Sequence, residues 1–140
     1  MMVVSLVNHP HNTNIPNFDP VCGNQLTGIG DPAFTVGVAL NQFIDNYVVL
    51  TPPGYSDDYL NVIRKAGTMV LIDGQAISQE GEPIGGTGLE LIRLSVPDGV
   101  HHLESEQPFG VTAYGYDCDV SYAYPGGMRL KVLDNDGGTP

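Results

Sequence analysis

The sequence predicts an all-β domain, an antiparallel β-sandwich or jelly-roll-like fold of about nine or ten short strands. Three observations carry this. β-branched and aromatic runs recur at spacings of ~8 to 12 residues, Gly, Pro, Asn and Asp close nearly every run, and side-chain character alternates with a period of two. The 18 Gly and 11 Pro act as punctuation between strands, because 41% apolar and only 15% charged residues argue against disorder. A chain of 140 residues fits one domain, spanning 1–140. It has enough length to bury roughly two-thirds of its unfolded surface.

In order along the chain, Met2 to Val7 is an apolar strand, and Asn8 to Pro32, rich in Pro, Asn and Gly, is an irregular stretch that wraps the surface. Residues 1–32 therefore form a strand plus a wrapping segment, ahead of the strands of 33–133. From Phe34 to Ile44, Ala39, Leu40 and Phe43 suit one helical turn while Val36 and Val38 favour a strand. Asn46 to Leu50 is a strand stopped by Thr51-Pro52-Pro53-Gly54. Tyr59 to Arg64 alternates Tyr, Asn and Ile against Leu, Val and Arg. Met69 to Ile72, Asp73-Gly74 and Gln75 to Ile77 make a hairpin, since Asp-Gly supplies the positive φ values of a two-residue loop.

Leu89 to Val96 is the next strand, turned by Pro97-Asp98-Gly99. After Pro108, Phe109 to Tyr116 places Val111, Ala113 and Gly115 on one face and Thr112, Tyr114 and Tyr116 on the other. Asp119 to Tyr124 follows. Pro125-Gly126-Gly127 then leads to a final strand, Met128 to Leu133, before the loop Asp134-Asn135-Asp136-Gly137-Gly138.

Five Lys and Arg against 16 Asp and Glu leave a formal net charge of −11, a field that repels phosphate backbones and anionic headgroups. Nucleic-acid and membrane-surface binding are thereby disfavoured, and membrane insertion is not expected. No run approaches the ~18 to 20 apolar residues of a membrane helix, and Met2 to Val7 is too short and lacks the basic flank of a signal peptide. The expectation is that 1–140 is a piece of a longer exported protein whose export signal lies elsewhere.

Cys22 and Cys118 stand near the two ends, outside any metal-ligand spacing. A disulfide between them is expected, closing most of the domain into one loop, worth ~4 kcal/mol in the chain-entropy model. Two buried thiols are the other reading.

The segment from His101 to Leu130 carries a recognisable pattern. It runs through His102, Leu103, Ser105, Pro108, Phe109, Gly110, Val111, Tyr114, Gly115 and Tyr116, then Ser121, Tyr122, Tyr124, Pro125, Gly126 and Gly127. In these residues the chain resembles the N-terminal domain family of IgGFc-binding proteins. Asp73-Gly74, Pro83-Ile84-Gly85 and Val96-Pro97-Asp98-Gly99 are similar to that family's turns, so the resemblance covers Asp31 to Leu133 and leaves out Met1 to Pro20. It implies an extracellular β-rich module of secreted or surface proteins, and no enzyme. It transfers no residue set for antibody binding, and this sequence lacks the cysteine-rich von Willebrand-type repeats that accompany the family in animal mucin-associated proteins.

Tyr114, Tyr116, Tyr122 and Tyr124 are the candidate ligand-binding residues. Cross-strand aromatic pairs stiffen a sheet, so packing is one reading, and an exposed platform on which sugar rings stack is the other. The expected role is a non-catalytic binding or adhesion module for a glycan or protein surface. The alternative is a structural or oligomerisation domain of a surface fibre, with homo-oligomers in view.

Catalytic and metal readings are weaker. No serine lies in a nucleophile motif, and Asp117 and Asp119 do not face each other across a substrate. Gly85-Gly86-Thr87-Gly88 has no following Lys and precedes a strand, so it reads as a turn and not as a phosphate loop. His9, His11, His101 and His102 lack further zinc ligands. Asp134 and Asp136 begin like a Ca²⁺ loop without the downstream Glu, which leaves calcium a weak candidate and no other cofactor expected.

Overall fold

The computed structural model describes residues 2–6 as backbone, and residues 30–118 and 120–130 in full. Among the described residues ten strands follow one another: β1 (Met2–Leu6), β2 (Ala33–Gly37), β3 (Ile44–Thr51), β4 (Asp57–Lys65), β5 (Leu71–Ile72), β6 (Gln75–Ala76), β7 (Glu82–Pro83), β8 (Leu89–Val96), β9 (Gly99–Asp117) and β10 (Val120–Pro125). Every pairing is antiparallel. The all-β fold expected from the periodicity is the one found.

The 19-residue β9 organises the molecule. Its first part pairs with β3 on one side and β5 on the other, and β5 continues to β6. Its second part pairs with β10 and β4, and β4 continues through β8 to β7. One strand thus belongs to two half-sheets, and the sheet curls around the core that lies between them. The bend has a local cause. Asn46 faces Glu104 and Ile44 faces Phe109, so residues 105–108 of β9 oppose Asp45 alone. Such a bulge redirects a strand and relaxes the need for ladder hydrogen bonds.

That bulge explains one departure from expectation. The sequence placed a strand start after Pro108, yet β9 runs on from Gly99 through Pro108. Proline lacks an N–H and is tolerated where the ladder is already broken.

Three other boundaries differ. From Phe34 to Ile44 both readings are realised in turn, with β2 followed by a 3-10 turn at Leu40–Gln42. A short β7 at Glu82–Pro83 was not expected. The final strand is absent over Met128–Leu130; Gly126 N donates to Val111 O, one step beyond the Pro125–Thr112 pair, and Arg129 N then donates to Gln42 O. Residues 131–133 of that expected strand, and nearly all of the wrapping segment from Asn8, lie outside the described residues.

The core follows the alternation. On β4, Asp58, Leu60, Val62 and Arg64 are buried, in phase with one another, as the Leu/Val/Arg pattern requires. Leu60 and Val62 meet Ile92 of β8, Leu103, Phe109, Val111 and Ala113 of β9, and Tyr47 and Val49 of β3. Arg64 sits at the edge of this core with its Nε 2.6 Å from a Glu90 carboxylate oxygen. The β5–β6 hairpin turns as its sequence dictates, with φ of 51° at Asp73 and 78° at Gly74.

Candidate functional site

The four candidate tyrosines do not share a face. Register places Tyr122 opposite Gly115 and Tyr124 opposite Ala113, so both look toward the core side. Tyr114 and Tyr116 stand opposite Ala123 and Ser121 and point the other way. The split into faces expected along β9 holds; β10 is what separates the four residues into two pairs.

Each pair is occupied by the fold. Tyr114 and Tyr116 are 8% exposed. With Tyr59 they form a cluster, the Tyr59 and Tyr114 rings stacked at 5.3 Å and the Tyr114 and Tyr116 rings edge to face at 6.0 Å. Burial, and then the neighbouring Tyr116, push the Tyr114 hydroxyl up to about 12. On the other side, the Tyr124 hydroxyl donates to Leu50 O and accepts from Leu50 N at 2.8 Å. It ties edge strand β10 to the outer edge of β3, satisfying backbone groups that would otherwise form an open sheet edge. Tyr47 does similar work, donating to Phe109 O and accepting from Ile44 N at 3.2 Å.

Tyr122 donates to Asp58, a carboxylate only 4% exposed. Burial raises the Asp58 pKa, the Tyr122 hydrogen bond opposes that rise, and the neighbouring Asp98 adds to it. The Tyr122 hydroxyl itself is raised, by burial first and then by Asp58, so it stays protonated as the donor. Gly115 makes this crossing possible. A Cβ there would lie 2.7 Å from Asp58 Oδ1 and 2.8 Å from the Asp57 carbonyl oxygen, and it would also collide with the Tyr122 ring. Gly126 has the same steric reason, since a Cβ would stand 2.9 Å from Val49. Much of the signature in β9 and β10 is therefore packing made legible.

His101 and His102 are adjacent on β9, so one points in and one out. Buried His101 lies 2.9 Å from Asp73 Oδ2 through Nδ1 and 2.9 Å from Pro97 O through Nε2, and the Asp73 carboxyl is held below its usual range mainly by that contact. The pair fastens the β5–β6 hairpin to the turn before β9. Asp117 is engaged locally, accepting from Ser56 Oγ at 3.1 Å and Cys118 N at 2.6 Å. Asp119, His9, His11, Cys22, Asp134 and Asp136 fall outside the described residues. The carboxylates brought together are instead Asp58 and Asp98, and the phase of Asp58 with Leu60 and Val62 was the signal that it would be buried.

Among the described residues, the outer face of the β3–β9–β5 half-sheet carries one row of exposed apolar side chains. Leu50 faces Val100 and Val48 faces His102, and these side chains point to solvent with exposures of 51% for Leu50, 57% for Val100 and 56% for Val48. Glu104 and Leu71, paired across β9 and β5, continue the same face. At its end, where β9 bends, a half-open cleft is walled by Met69, Leu71, Glu104, Ser105, Glu106 and Gln107. Reasoning from the sequence missed this face. The signal was present in Val48, Leu50 and Val100, apolar residues out of phase with the core, but their exposure depends on how the strands pair in the fold.

The family model described as IgGFc binding protein matches residues 12–115. The chain belongs to this family. The match begins ahead of Asp31, within the segment the resemblance left out, and it stops at Gly115, so Tyr116 and the pattern from Ser121 to Gly127 lie beyond it. No curated protein and no solved structure matches the chain. The IgGFc-binding family is typically extracellular and of binding-module type. Among the described residues no helix is long and apolar enough to cross a membrane.

Proposed function

We propose that the chain is a non-catalytic module that recognises a protein surface outside the cell, through the outer face of the β3–β9–β5 half-sheet. The observation that supports this reading is the exposed row of Val48, Leu50 and Val100. Contiguous exposed aliphatic side chains mark protein contacts, whereas sugar sites are built on aromatic rings, and the four tyrosines suited to that use are engaged in packing. A heterologous partner is favoured over self-assembly, because two surfaces of a chain carrying −11 repel each other.

The family description supplies the first probe. Surface plasmon resonance over immobilised immunoglobulin G Fc, run beside a glycan array, is expected to give saturable Fc binding that falls at least ~10-fold when Val48→Lys and Leu50→Lys are combined. Circular dichroism should be unchanged, since both positions face solvent. Saturable glycan binding that survives the two substitutions would replace the reading with a lectin, and a stable dimer in solution would replace it with an assembly domain.

The Cys22 to Cys118 bridge belongs to the same proposal, since oxidising compartments permit it. No free cysteine is found among the described residues, which include Cys118. Titration of the denatured, unreduced protein is expected to detect no thiol; two thiols per chain would refute the bridge.

A further inference from the structure

Basic side chains are concentrated on the β4–β8 half-sheet, with Arg129 apart from them, its N–H donating to Gln42 O just ahead of β3, while acidic residues stand on both half-sheets. Among the described residues the basic side chains are Arg64, Lys65, Arg93 and Arg129. Arg64 and Lys65 lie on β4 and Arg93 on β8. Arg64 is paired with Glu90, and Arg93 lies 3.2 Å from Glu82, so two of these charges are already answered within their own half-sheet. By contrast β3, β5, β6 and residues 99–108 contain no Lys or Arg at all, while Asp45, Asp73, Glu104 and Glu106 stand on them or in their turn. Asp73 is held by His101. Asp45, Glu104 and Glu106 are exposed and have no ion pair among the described residues.

The shape of the face agrees with its charge. The aliphatic row of Leu50, Val100 and Val48 leads across His102 to Glu104 and Leu71, and from there into the cleft at the bend. That cleft has a volume of about 580 Å³, with Met69 and Leu71 as apolar walls and Glu104 and Glu106 as its anionic groups. An aliphatic stem ending in a cation fits such a lining, since lysine and arginine bury their methylenes against apolar surface and leave the charged head beside a carboxylate.

We infer that the partner presents a cationic strand or loop to this half-sheet, its apolar side chains lying on Val48, Leu50 and Val100 and a lysine or arginine entering the cleft between Met69 and Glu104. This rests on the reading of the same face as a protein-binding surface and adds the partner's chemistry to it. Complementary charge steers encounter and fixes register, and exposed pairs weaken as salt rises.

The test uses a defined probe. The ¹⁵N-labelled protein is titrated with an acetylated, amidated Lys-Leu-Lys-Leu-Lys peptide and with its Glu-Leu-Glu-Leu-Glu counterpart, following amide shifts by NMR. The expected result is saturable binding of the lysine peptide, with shifts confined to residues 48–50, 69–71 and 100–107. That binding should weaken about tenfold in the Glu104→Gln, Glu106→Gln protein and in 0.5 M salt, where screening acts within about 5 Å. The Glu peptide should give no shifts. Equal binding of both peptides on this face would overturn the cationic inference while leaving the protein-binding surface intact. Lysine-peptide shifts spread over all the acidic residues, unchanged by the two Gln substitutions, would overturn it as unspecific attraction. The Fc measurement, which alters Val48 and Leu50, tests the surface reading separately.

Discussion

Phe109→Ala is expected to destabilise the domain by ~3 to 5 kcal/mol, the range for deleting a fully buried aromatic ring. Phe109 is completely buried at the start of the second part of β9, directly after the bend. Its ring meets Tyr47 edge to face at 4.9 Å, and its carbonyl accepts the Tyr47 hydroxyl, so β3 is fastened to β9 where β9 passes from one half-sheet to the other. Alanine leaves a cavity between strands that belong to different half-sheets. Neither can close on it without shifting the bulge at residues 105–108. Urea denaturation monitored by circular dichroism measures the loss directly, and the melting temperature should fall by roughly 10 °C or more. Phe109→Leu, which keeps most of the volume, should lose much less. A loss below ~1 kcal/mol for the alanine protein would show that the two half-sheets do not depend on this ring.

Tyr122→Phe is the second large effect, and its sign with pH makes it specific. The substitution keeps the ring that covers Gly115 and removes the hydroxyl that donates to buried Asp58. A buried carboxylate stripped of a hydrogen bond costs ~1.5 to 3 kcal/mol. Asp58 already has its pKa raised by burial, with Asp98 adding to the rise and the Tyr122 bond opposing it. A carboxyl with a raised folded-state pKa binds its proton more readily in the native state. Lowering the pH from the folded value toward the unfolded one near 4 therefore stabilises the fold. Loss of the phenol raises Asp58 further. The difference between wild type and Tyr122→Phe should be greatest at pH 7 and shrink as Asp58 takes up its proton. Chemical denaturation at pH 7 and at pH 4 checks this, and a difference that grows on acidification would refute the role of the pair. Combining the change with Asp58→Asn should give less than the sum of the two single effects, since the residues share one interaction.

The match between pattern and fold is uneven in an instructive way. The alternation on β4 announced which of its side chains would share a face, and Asp73-Gly74 announced its own turn, because the period of a strand and a two-residue loop are decided by neighbours in sequence. The fate of Pro108 was not readable. Whether a proline ends a strand or rides through it depends on whether the facing strand offers a ladder there, and β3 offers one residue against four. Likewise the faces of Tyr114 and Tyr116 were legible along β9, while the opposite placement of Tyr122 and Tyr124 required the register of β10 against it.

The sequence by itself determined the all-β class, the acidity, the family and most strand positions, since these rest on composition, period-two alternation and a local signature. Only the tertiary structure decided that β9 serves two half-sheets, that the tyrosines are absorbed by packing, and that Val48, Leu50 and Val100 stand uncovered. The physical reason is that burial belongs to pairs of surfaces. A strand carries the alternation of its own side chains, but which of its faces meets water is set by strands distant in the chain.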